Sequence, residues 1–176
     1  MASTPAALLT RLAQLGMRVT TVDHPPVATV DANKALRGAL PGGHTKNLFL
    51  KDKKGGLWLV VALEDRPVDL KELRRRLAAP PLSFARPEVL RDALGVEPGA
   101  VTPFAVINDD RGLVRVVLDA AMLAIDPLNF HPLVNTRTTA IAAADLLRFL
   151  DEMRHPPLVL DMDAGLPTPP AAAARP

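Results

Sequence analysis

The alternation of apolar and polar positions predicts a β-hairpin in the first third of the chain. Residues 48–51 form a mostly apolar run, residues 53–56 (Lys-Lys-Gly-Gly) supply a turn, and residues 57–61 (Leu-Trp-Leu-Val-Val) run back. Two short apolar runs separated by a glycine-containing turn are typical of paired antiparallel strands. The first run begins in a polar stretch, residues 42–47. We therefore expect a hairpin with one polar entrance.

Helical spacing and further strand-like runs interleave along the rest of the chain. Thr4 ahead of Pro5 is an N-cap signal, and Asp69 with Glu72 three residues later is a capping-box pattern. Helices are predicted to start at Pro5, near Asp31, after Asp69, at Pro87 and near Thr139, and further strands at 19–22, 104–107 and 114–118. The helix after Asp69 should end near Pro80. Interleaved helices and strands that include a tight hairpin predict an α/β fold with a mixed sheet.

Composition fits one domain of ordinary size. The chain has 176 residues, 48% of them hydrophobic and 3% aromatic, and no cysteine. The absence of cysteine excludes disulfides, thiolate catalysis and cysteine-bound zinc, and it fits a cytoplasmic protein. We expect no signal peptide and no membrane span, because no apolar run is long enough. The predicted domain is 1–160, and the Ala/Pro-rich tail, 161–176, is expected to be disordered.

Lys46 needs an explanation beyond this pattern. It follows a glycine pair and precedes Asn47 at the mouth of the apolar strand. A lysine entering a buried strand either extends its ammonium to water or meets an anion, because an unpaired buried charge is costly. On this residue alone, a solvated strand end and an anion site both remain open.

Two later segments are also unusually polar. Residues 95–109 join a Pro98-Gly99 turn to Pro103, which cannot donate to a sheet ladder. Such a bend leaves backbone N–H groups and a hydroxyl available for an oxyanion or a carboxyl ester. Residues 129–139 hold two asparagines, a histidine and three threonines without helical or strand periodicity. A loop of this polarity between apolar elements indicates binding rather than mere connection.

Taken together, the three segments resemble the YbaK/ProX-type editing domains, which hydrolyse wrongly charged aminoacyl-tRNA. The similarity spans residues 5–155 and is greatest to free-standing prolyl-tRNA deacylases that remove alanine from tRNA(Pro). The motifs that carry it are KNLFL at 46–50, PGAVTPF at 98–104 and NFHP at 129–132. The resemblance implies a single α/β domain with a mixed, mostly antiparallel sheet flanked by helices.

The resemblance also implies roles for individual residues. Lys46, Asn47 and His131 are the predicted catalytic residues: the lysine would fix the terminal nucleotide's phosphate or ester, the asparagine would orient the ester, and the histidine would hold water or the terminal ribose. The predicted substrate-binding residues are Val30, Gly99, Ala100, Val101, Thr102, Phe104 and Asn129. Val30 and Phe104 are expected either in a pocket wall or in the core.

The distribution of charge along the chain indicates more about binding partners than the net charge does. The net charge is +2, but Lys51, Lys53 and Lys54 cluster on the hairpin turn, and Arg74–Arg76 form a run on a predicted helix. A solvated face explains the arginines. For the lysines, a solvated face and contacts to tRNA phosphates are both plausible, and we predict phosphate contacts.

The remaining chemistry argues for hydrolysis without a protein nucleophile, metal or cofactor. Ser3 and Ser83 are the only serines, and neither has a base nearby in sequence. The four histidines are scattered without the spacing of metal ligands, and His155 is expected in a turn or on the surface. An aminoacyl ester is already activated, so positioned water and oxyanion stabilisation suffice. In the family, the ribose hydroxyl beside the ester is thought to assist.

The expected function is that of a trans-editing hydrolase for mischarged Ala-tRNA(Pro). Its partner would be the acceptor end of tRNA(Pro) carrying a mischarged amino acid, with prolyl-tRNA synthetase as a possible second partner, and no membrane. A deacylase for Cys-tRNA(Pro) or another small amino acid remains open. So does a non-catalytic tRNA-binding module of the same fold, although the joint presence of Lys46, Asn47 and His131 argues against it.

Overall fold

The computed structural model describes residues 1–26, 35 and 38–163, and within this part of the chain four α-helices and eight strands interleave. The helices are α1 (Pro5–Gln14), α2 (Leu70–Arg76), α3 (Pro87–Leu94) and α4 (Ala143–Glu152). The strands are β1 (Thr20–Asp23), β2 (Gly43–Asp52), β3 (Leu57–Leu63), β4 (Leu82–Phe84), β5 (Val114–Asp119), β6 (Leu128–Phe130), β7 (Arg137–Ile141) and β8 (Leu158–Leu160). Short 3₁₀ helices cover Pro98–Ala100, Pro103–Asn108 and Ala120–Ala124.

The strands form one mixed sheet, as predicted. Its order is β1-β7-β6-β2-β3-β5-β8, and β4 pairs with β2 off this path. The pairs β1–β7, β2–β3, β2–β4 and β6–β7 are antiparallel, whereas β2–β6, β3–β5 and β5–β8 are parallel. The α/β fold with helices flanking a mixed sheet is therefore confirmed.

The predicted hairpin lies at the centre of this sheet. Leu50 of β2 pairs with Trp58 of β3. The buried Asp52 carboxylate holds the turn, because it accepts hydrogen bonds from the backbone N–H groups of Lys54 (2.8 Å) and Gly56 (2.9 Å) and from the indole of Trp58 (3.1 Å). The turn lysines are thus carried by a firmly bonded loop.

The two faces of the hairpin contact different cores, because side chains alternate along a strand. Phe49 and Leu59 belong to the larger core, together with residues of α1, α3 and α4. Leu50, Trp58 and Val60 belong to a smaller core that includes Leu73 of α2. The aliphatic composition therefore fills both sides of one sheet.

Local signals at helix ends are confirmed where their partners are also local. Thr4 accepts a hydrogen bond from the N–H of Ala7, and Asp69 accepts from the N–H groups of Lys71 and Glu72. The end predicted near Pro80 is wrong, since α2 ends at Arg76. Ala78 adopts a φ of 50°, which turns the chain out of the helix before the prolines are reached.

Three predictions around the second half of the chain are corrected. Residues 104–107 are a 3₁₀ helix rather than a strand, because Pro103 opens a helical turn and Thr102 caps it by accepting from the N–H of Phe104 (3.3 Å). The polar loop predicted at 129–139 is shorter than expected: its two ends belong to β6 and β7, and residues 131–136 form the loop between them. The helix expected near Thr139 starts at Ala143, where the carboxylate of Asp126 accepts from the N–H of Ala143 (2.6 Å).

Two predicted segments lie wholly or mostly outside the described residues. They are the helix near Asp31 and the tail, of which only 161–163 are described. Among the described residues, no helix is long and apolar enough to cross a membrane.

Candidate functional site

The candidate site is a cleft that opens where two neighbouring strands separate. β2 and β6 pair in parallel over only two residue pairs, Gly43 with Leu128 and His44 with Asn129. Beyond that point β2 continues beside β3, and β6 continues beside β7. A cavity of about 220 Å³ fills the gap, lined by Leu40, His44, Thr45, Lys46, Asn47, Glu64, Pro98, Gly99, Val101, Asn129, Phe130, His131 and Thr138.

The start of β2 is fixed by close packing against the segment that leads into β6. Gly42 has a φ of 104°, and a Cβ atom there would lie 2.2 Å from the carbonyl oxygen of Pro127, so only glycine fits. The side-chain amide of Asn129 donates to the carbonyls of Pro41 (3.0 Å) and Gly43 (3.2 Å). Asn129 thus lines the cavity while its amide nitrogen positions the strand that carries Lys46.

Lys46 is half-buried at the cavity wall, and its ammonium donates to the backbone carbonyl of Arg66. An ammonium has three hydrogens, so one carbonyl leaves two of them for a ligand. The structure therefore presents a cation with donors to spare at the place where the sequence predicts an anion site.

Two polar atoms beside Lys46 lack hydrogen-bond partners. Within the described part of the chain, Asn47 Oδ1 and Thr45 Oγ1 are buried and make no hydrogen bond. A buried polar atom without a partner costs about 1–3 kcal/mol. Thr45 and Asn47 are two residues apart on β2, and residues with this spacing face the same side of a strand. A ligand that offers hydrogen-bond donors would satisfy both atoms.

His131 is held in one tautomer. Its Nδ1 lies 2.8 Å from the carbonyl oxygen of Arg137, which only accepts, so Nδ1 carries the hydrogen and Nε2 has a free lone pair. Burial lowers the pKa of His131, and this outweighs the opposite effect of the bond to Arg137. The imidazole is therefore neutral at neutral pH. Among the described residues we find no hydrogen-bond partner for Nε2.

A second histidine stands next to His131. The rings of His24 and His131 are 6.0 Å apart, and His24 Nε2 lies 2.8 Å from the hydroxyl of Thr138. Since His24 Nδ1 faces the carbonyl of Pro25 at 2.9 Å, it carries the hydrogen, and Nε2 accepts from Thr138. His24 is thus occupied by the protein, whereas His131 keeps an acceptor for a ligand.

The loop predicted to hold the ester contributes only part of its residues. Gly99 and Val101 line the cavity, and Ala100 is buried. Thr102 is also buried, and its hydroxyl caps the following 3₁₀ helix. Phe104 is fully buried and packs edge-on against Phe130 and Phe149, with ring centroids 5.8 and 5.6 Å away, so it belongs to the core and not to a pocket wall.

The remaining predicted site residues are Val30 and the three lysines of the hairpin turn. Val30 falls outside the described residues. Lys51, Lys53 and Lys54 are exposed at the far end of β2, and the five residues from Lys46 to Lys51 correspond to about 16 Å of extended strand. The lysines are therefore separate from the cavity. A tRNA acceptor stem that contacted them would have to extend from the cavity along β2.

Sequence reasoning missed several cavity residues, among them Thr45 and Glu64, and one buried pair. Thr45 could have been found, because it lies two residues before Asn47 on a predicted strand. Glu64 could not, because the fold alone brings it to the cavity. His155 was expected in a turn or on the surface. It directly follows a turn, but its side chain is buried, and Nε2 lies 3.0 Å from the Asp109 carboxylate.

Comparison with known proteins identifies the family of the chain. Residues 24–149 match the family profile of the aminoacyl-tRNA editing domain. The match covers most of the chain, and the protein belongs to that family.

Relatives that match most of the chain have names that refer to prolyl-tRNA. The chain is 42% identical over 154 residues to "Prolyl-tRNA synthetase associated domain-containing protein 1" of Danio rerio, covering 86% of this chain and 84% of that protein. It is 35% identical over 141 residues to "Prolyl-tRNA editing protein ProX" of Acetoanaerobium sticklandii, covering 80% and 86%. A crystal structure of a candidate trans-editing enzyme for prolyl-tRNA synthetase shares the fold, with a TM-score of 0.69 and 21% identity over 92% of this chain and 98% of the other.

Proposed function

We propose that this protein is a trans-editing hydrolase that removes alanine from mischarged Ala-tRNA(Pro). The observation that carries the proposal is the meeting of Lys46, Asn47 and His131 in one cavity. Lys46 and Asn47 are neighbours on β2, whereas His131 follows β6, and each keeps hydrogen-bonding capacity that no described residue uses. The family assignment and the prolyl-tRNA names of the relatives support the same substrate class.

In the proposed reaction, water attacks the carbonyl carbon of the ester that joins alanine to the terminal ribose. The bond between that carbon and the ribose oxygen breaks, the ribose oxygen takes up a proton, and alanine leaves as the free amino acid. The ribose hydroxyl beside the ester assists by hydrogen bonding at the reacting centre. No covalent intermediate with the protein is formed.

Each cavity residue has a place in this reaction. Lys46 holds the phosphate or the ester oxygen of the terminal nucleotide through its remaining N–H groups. His131 Nε2, an unprotonated acceptor, holds the water or the ribose hydroxyl. Asn47 orients the acyl group, since its buried Oδ1 gains a hydrogen bond when a donor of the substrate arrives.

The small size of the cavity is compatible with the selectivity that the proposal requires. A synthetase site built for proline rejects the smaller alanine weakly, because each missing methylene is worth about 1–3 kcal/mol. A second site that admits only small acyl groups corrects such errors. The cavity volume of about 220 Å³ is below the usual ligand-pocket range of about 300–1,000 Å³, which suits a small acyl group.

A deacylation panel tests the proposal. Purified protein would be given alanyl-, cysteinyl-, seryl- and prolyl-tRNA(Pro), and we expect alanine to be released fastest. Lys46→Ala should cut the rate at least about tenfold, because a charge-assisted bond worth about 1.5–3 kcal/mol is lost. Lys71→Ala is the matched control, since Lys71 is an exposed lysine of α2 that does not line the cavity.

The outcomes are distinct. Faster release of cysteine or serine would reassign the substrate within the same reaction. Binding of tRNA without release of any amino acid would make the protein a non-catalytic binding module. A folded Lys46→Ala variant with wild-type rates would remove Lys46 from the site.

A further inference from the structure

We propose that Arg66 is the positioning residue that aims the Lys46 ammonium into the cavity, with Asp119 and Asp163 as its anchors. The proposal rests on the function assigned above, because it concerns how the Lys46 cation is held. Arg66 follows β3 and supplies the backbone carbonyl to which Lys46 donates. Whatever fixes that carbonyl also fixes the direction of the ammonium.

The backbone at Arg66 is restrained from both sides. The N–H of Arg66 donates to the carbonyl of Leu63 at 3.1 Å, which closes a turn at the end of β3. Pro67 follows directly, and a residue before proline is confined to extended conformations. The turn thus has little freedom to rotate the carbonyl away from Lys46.

The side chain of Arg66 is anchored on a buried carboxylate. Its Nε lies 2.7 Å from Asp119 Oδ2, and the Asp119 side chain is fully buried at the end of β5. The same oxygen is 3.4 Å from the N–H of Leu63, so Asp119 contacts both ends of the turn. Its other oxygen accepts from the N–H of Ala121 at 3.1 Å, which leaves Asp119 no freedom to follow a moving arginine.

A second carboxylate reaches Arg66 from the C-terminal segment. The two terminal nitrogens of the guanidinium lie 2.5 and 2.9 Å from the two oxygens of Asp163, a bidentate arrangement. Asp163 follows β8, and its side chain is 64% exposed. The segment beyond the sheet therefore contributes to the site, although the sequence assigns it to the tail.

These contacts also solve an electrostatic problem. A guanidinium near the ammonium of Lys46 would repel it and compete for the anion of the substrate. Asp119 and Asp163 neutralise the guanidinium, so that only the Arg66 carbonyl, a neutral acceptor, is presented to Lys46. Without this arrangement, the flexible four-carbon stem of lysine would sample many orientations.

The first test observes Lys46 directly and does not depend on catalysis. In protein with isotope-labelled lysine, the ammonium signal of Lys46 is assigned by its loss in Lys46→Ala. We expect this signal to be visible and protected from solvent exchange in the wild type, and to broaden or disappear in Arg66→Met and in Asp163→Asn. The matched control is Arg148→Met, which removes an arginine that pairs with Asp145 on α4. An unchanged Lys46 signal in folded Arg66→Met overturns the proposal.

The second test is a double-mutant cycle on deacylation. Arg66→Met should lower kcat/KM about tenfold, the upper range for loss of one hydrogen bond. Asp163→Asn, an exposed site, should lower it only about twofold. In the Lys46→Ala background each change should cost less than about twofold, because residues that act through Lys46 are not additive with its loss.

A role in stability alone would give a different result. Equal losses in the wild-type background and in the Lys46→Ala background would show that Arg66 acts independently of Lys46 and would overturn the proposal. If Arg66→Met does not fold, Asp163→Asn carries both tests, since its substitution lies at an exposed carboxylate. If the wild type releases no amino acid, the proposed function fails, and the ammonium signal still decides whether Arg66 positions Lys46.

Discussion

Two histidines, His131 and His155, are anchored alike and differ in what meets the second ring nitrogen. In each, Nδ1 faces a backbone carbonyl, at 2.8 Å from Arg137 and 2.6 Å from Met153 respectively. The second nitrogen of His155 meets the Asp109 carboxylate at 3.0 Å, inside the protein. The second nitrogen of His131 has no partner among the described residues and lies at the cavity.

The difference separates a histidine bonded on both ring nitrogens from one that, in the proposed function, offers its second nitrogen to the substrate. Asp109 also accepts from the N–H of Val114 at 2.8 Å, so the carboxylate that meets His155 is itself held in place. A buried pair of this kind contributes to stability chiefly because breaking it leaves an uncompensated charge. At His131 no described residue meets the second nitrogen, which is the nitrogen that the proposed function assigns to the substrate. The same residue type, held the same way at Nδ1, would then serve two purposes.

The largest effect, on stability, is expected at His155. His155→Ala leaves the buried Asp109 carboxylate without its imidazole, and removal of one member of a buried pair costs about 3–5 kcal/mol. Chemical denaturation followed by circular dichroism measures the loss. Deacylation per folded molecule should not change. Arg91→Ala, which breaks the exposed pair with Glu97, is the control and should leave the unfolding midpoint where it is. A large activity loss in folded His155→Ala would break the comparison.

The opposite result, a loss of activity without a loss of stability, is expected at His131. His131→Ala should reduce single-turnover deacylation by about tenfold or more, because the acceptor for water or ribose is lost. Stability should change little, since the hydrogen bond from Nδ1 to the Arg137 carbonyl is partly accessible to water. Rates and denaturation midpoints of the same preparation check both statements. If His131→Ala unfolded the protein as readily as His155→Ala, the two sites would not differ in kind.

The pH dependence of activity provides a further test of the role of His131. The loss of activity at low pH should be no larger than the loss caused by His131→Ala. Burial lowers the pKa of His131 below its ordinary value of 6.5. In the proposed reaction His131 acts as the neutral imidazole, so activity should be full above this lowered pKa and should fall as the pH drops through it. The acid limb of kcat/KM should therefore lie below pH 6.5 and be absent in His131→Ala. A rate that rises on acidification would mean that the imidazolium is the active form.

The sequence predicts those parts of the structure whose determinants are close together along the chain. The hairpin of β2 and β3 follows from two apolar runs and a glycine turn, and the start of α1 follows from Thr4 and Pro5. By contrast, α4 is capped by Asp126, seventeen residues away, so its start was misplaced. The parallel pairing of β2 with β6, beyond which the two strands separate and the cavity opens, has no local signal in the sequence.

The same distinction holds within the site. Lys46 and Asn47 could be singled out because they stand at the entrance of an apolar strand, and His131 because of its polar segment and motif. Phe104 looked equally eligible, but an apolar residue in a motif has the same sequence signal in a core as in a pocket wall. His155 could not be separated from a surface histidine, since Asp109 is brought to it only by the fold.

The smallest effect is expected for the hairpin lysines, which provide a second contrast with Lys46. Lys46 is half-buried and bonded, whereas Lys51, Lys53 and Lys54 are exposed and about 16 Å or more away along the strand. Charges in that position are screened by salt and contact phosphates without fixing the reacting atoms.

Replacing all three by glutamine should raise KM for tRNA about fivefold and make its dependence on salt less steep. Single-turnover rates at saturating tRNA should remain those of the wild type, because the cavity is untouched. Titration of KM against salt in the wild type and the triple variant measures the slopes. Equal slopes would return the lysines to an ordinary solvated turn, whereas a fall in the saturated rate would place them in the same functional unit as Lys46.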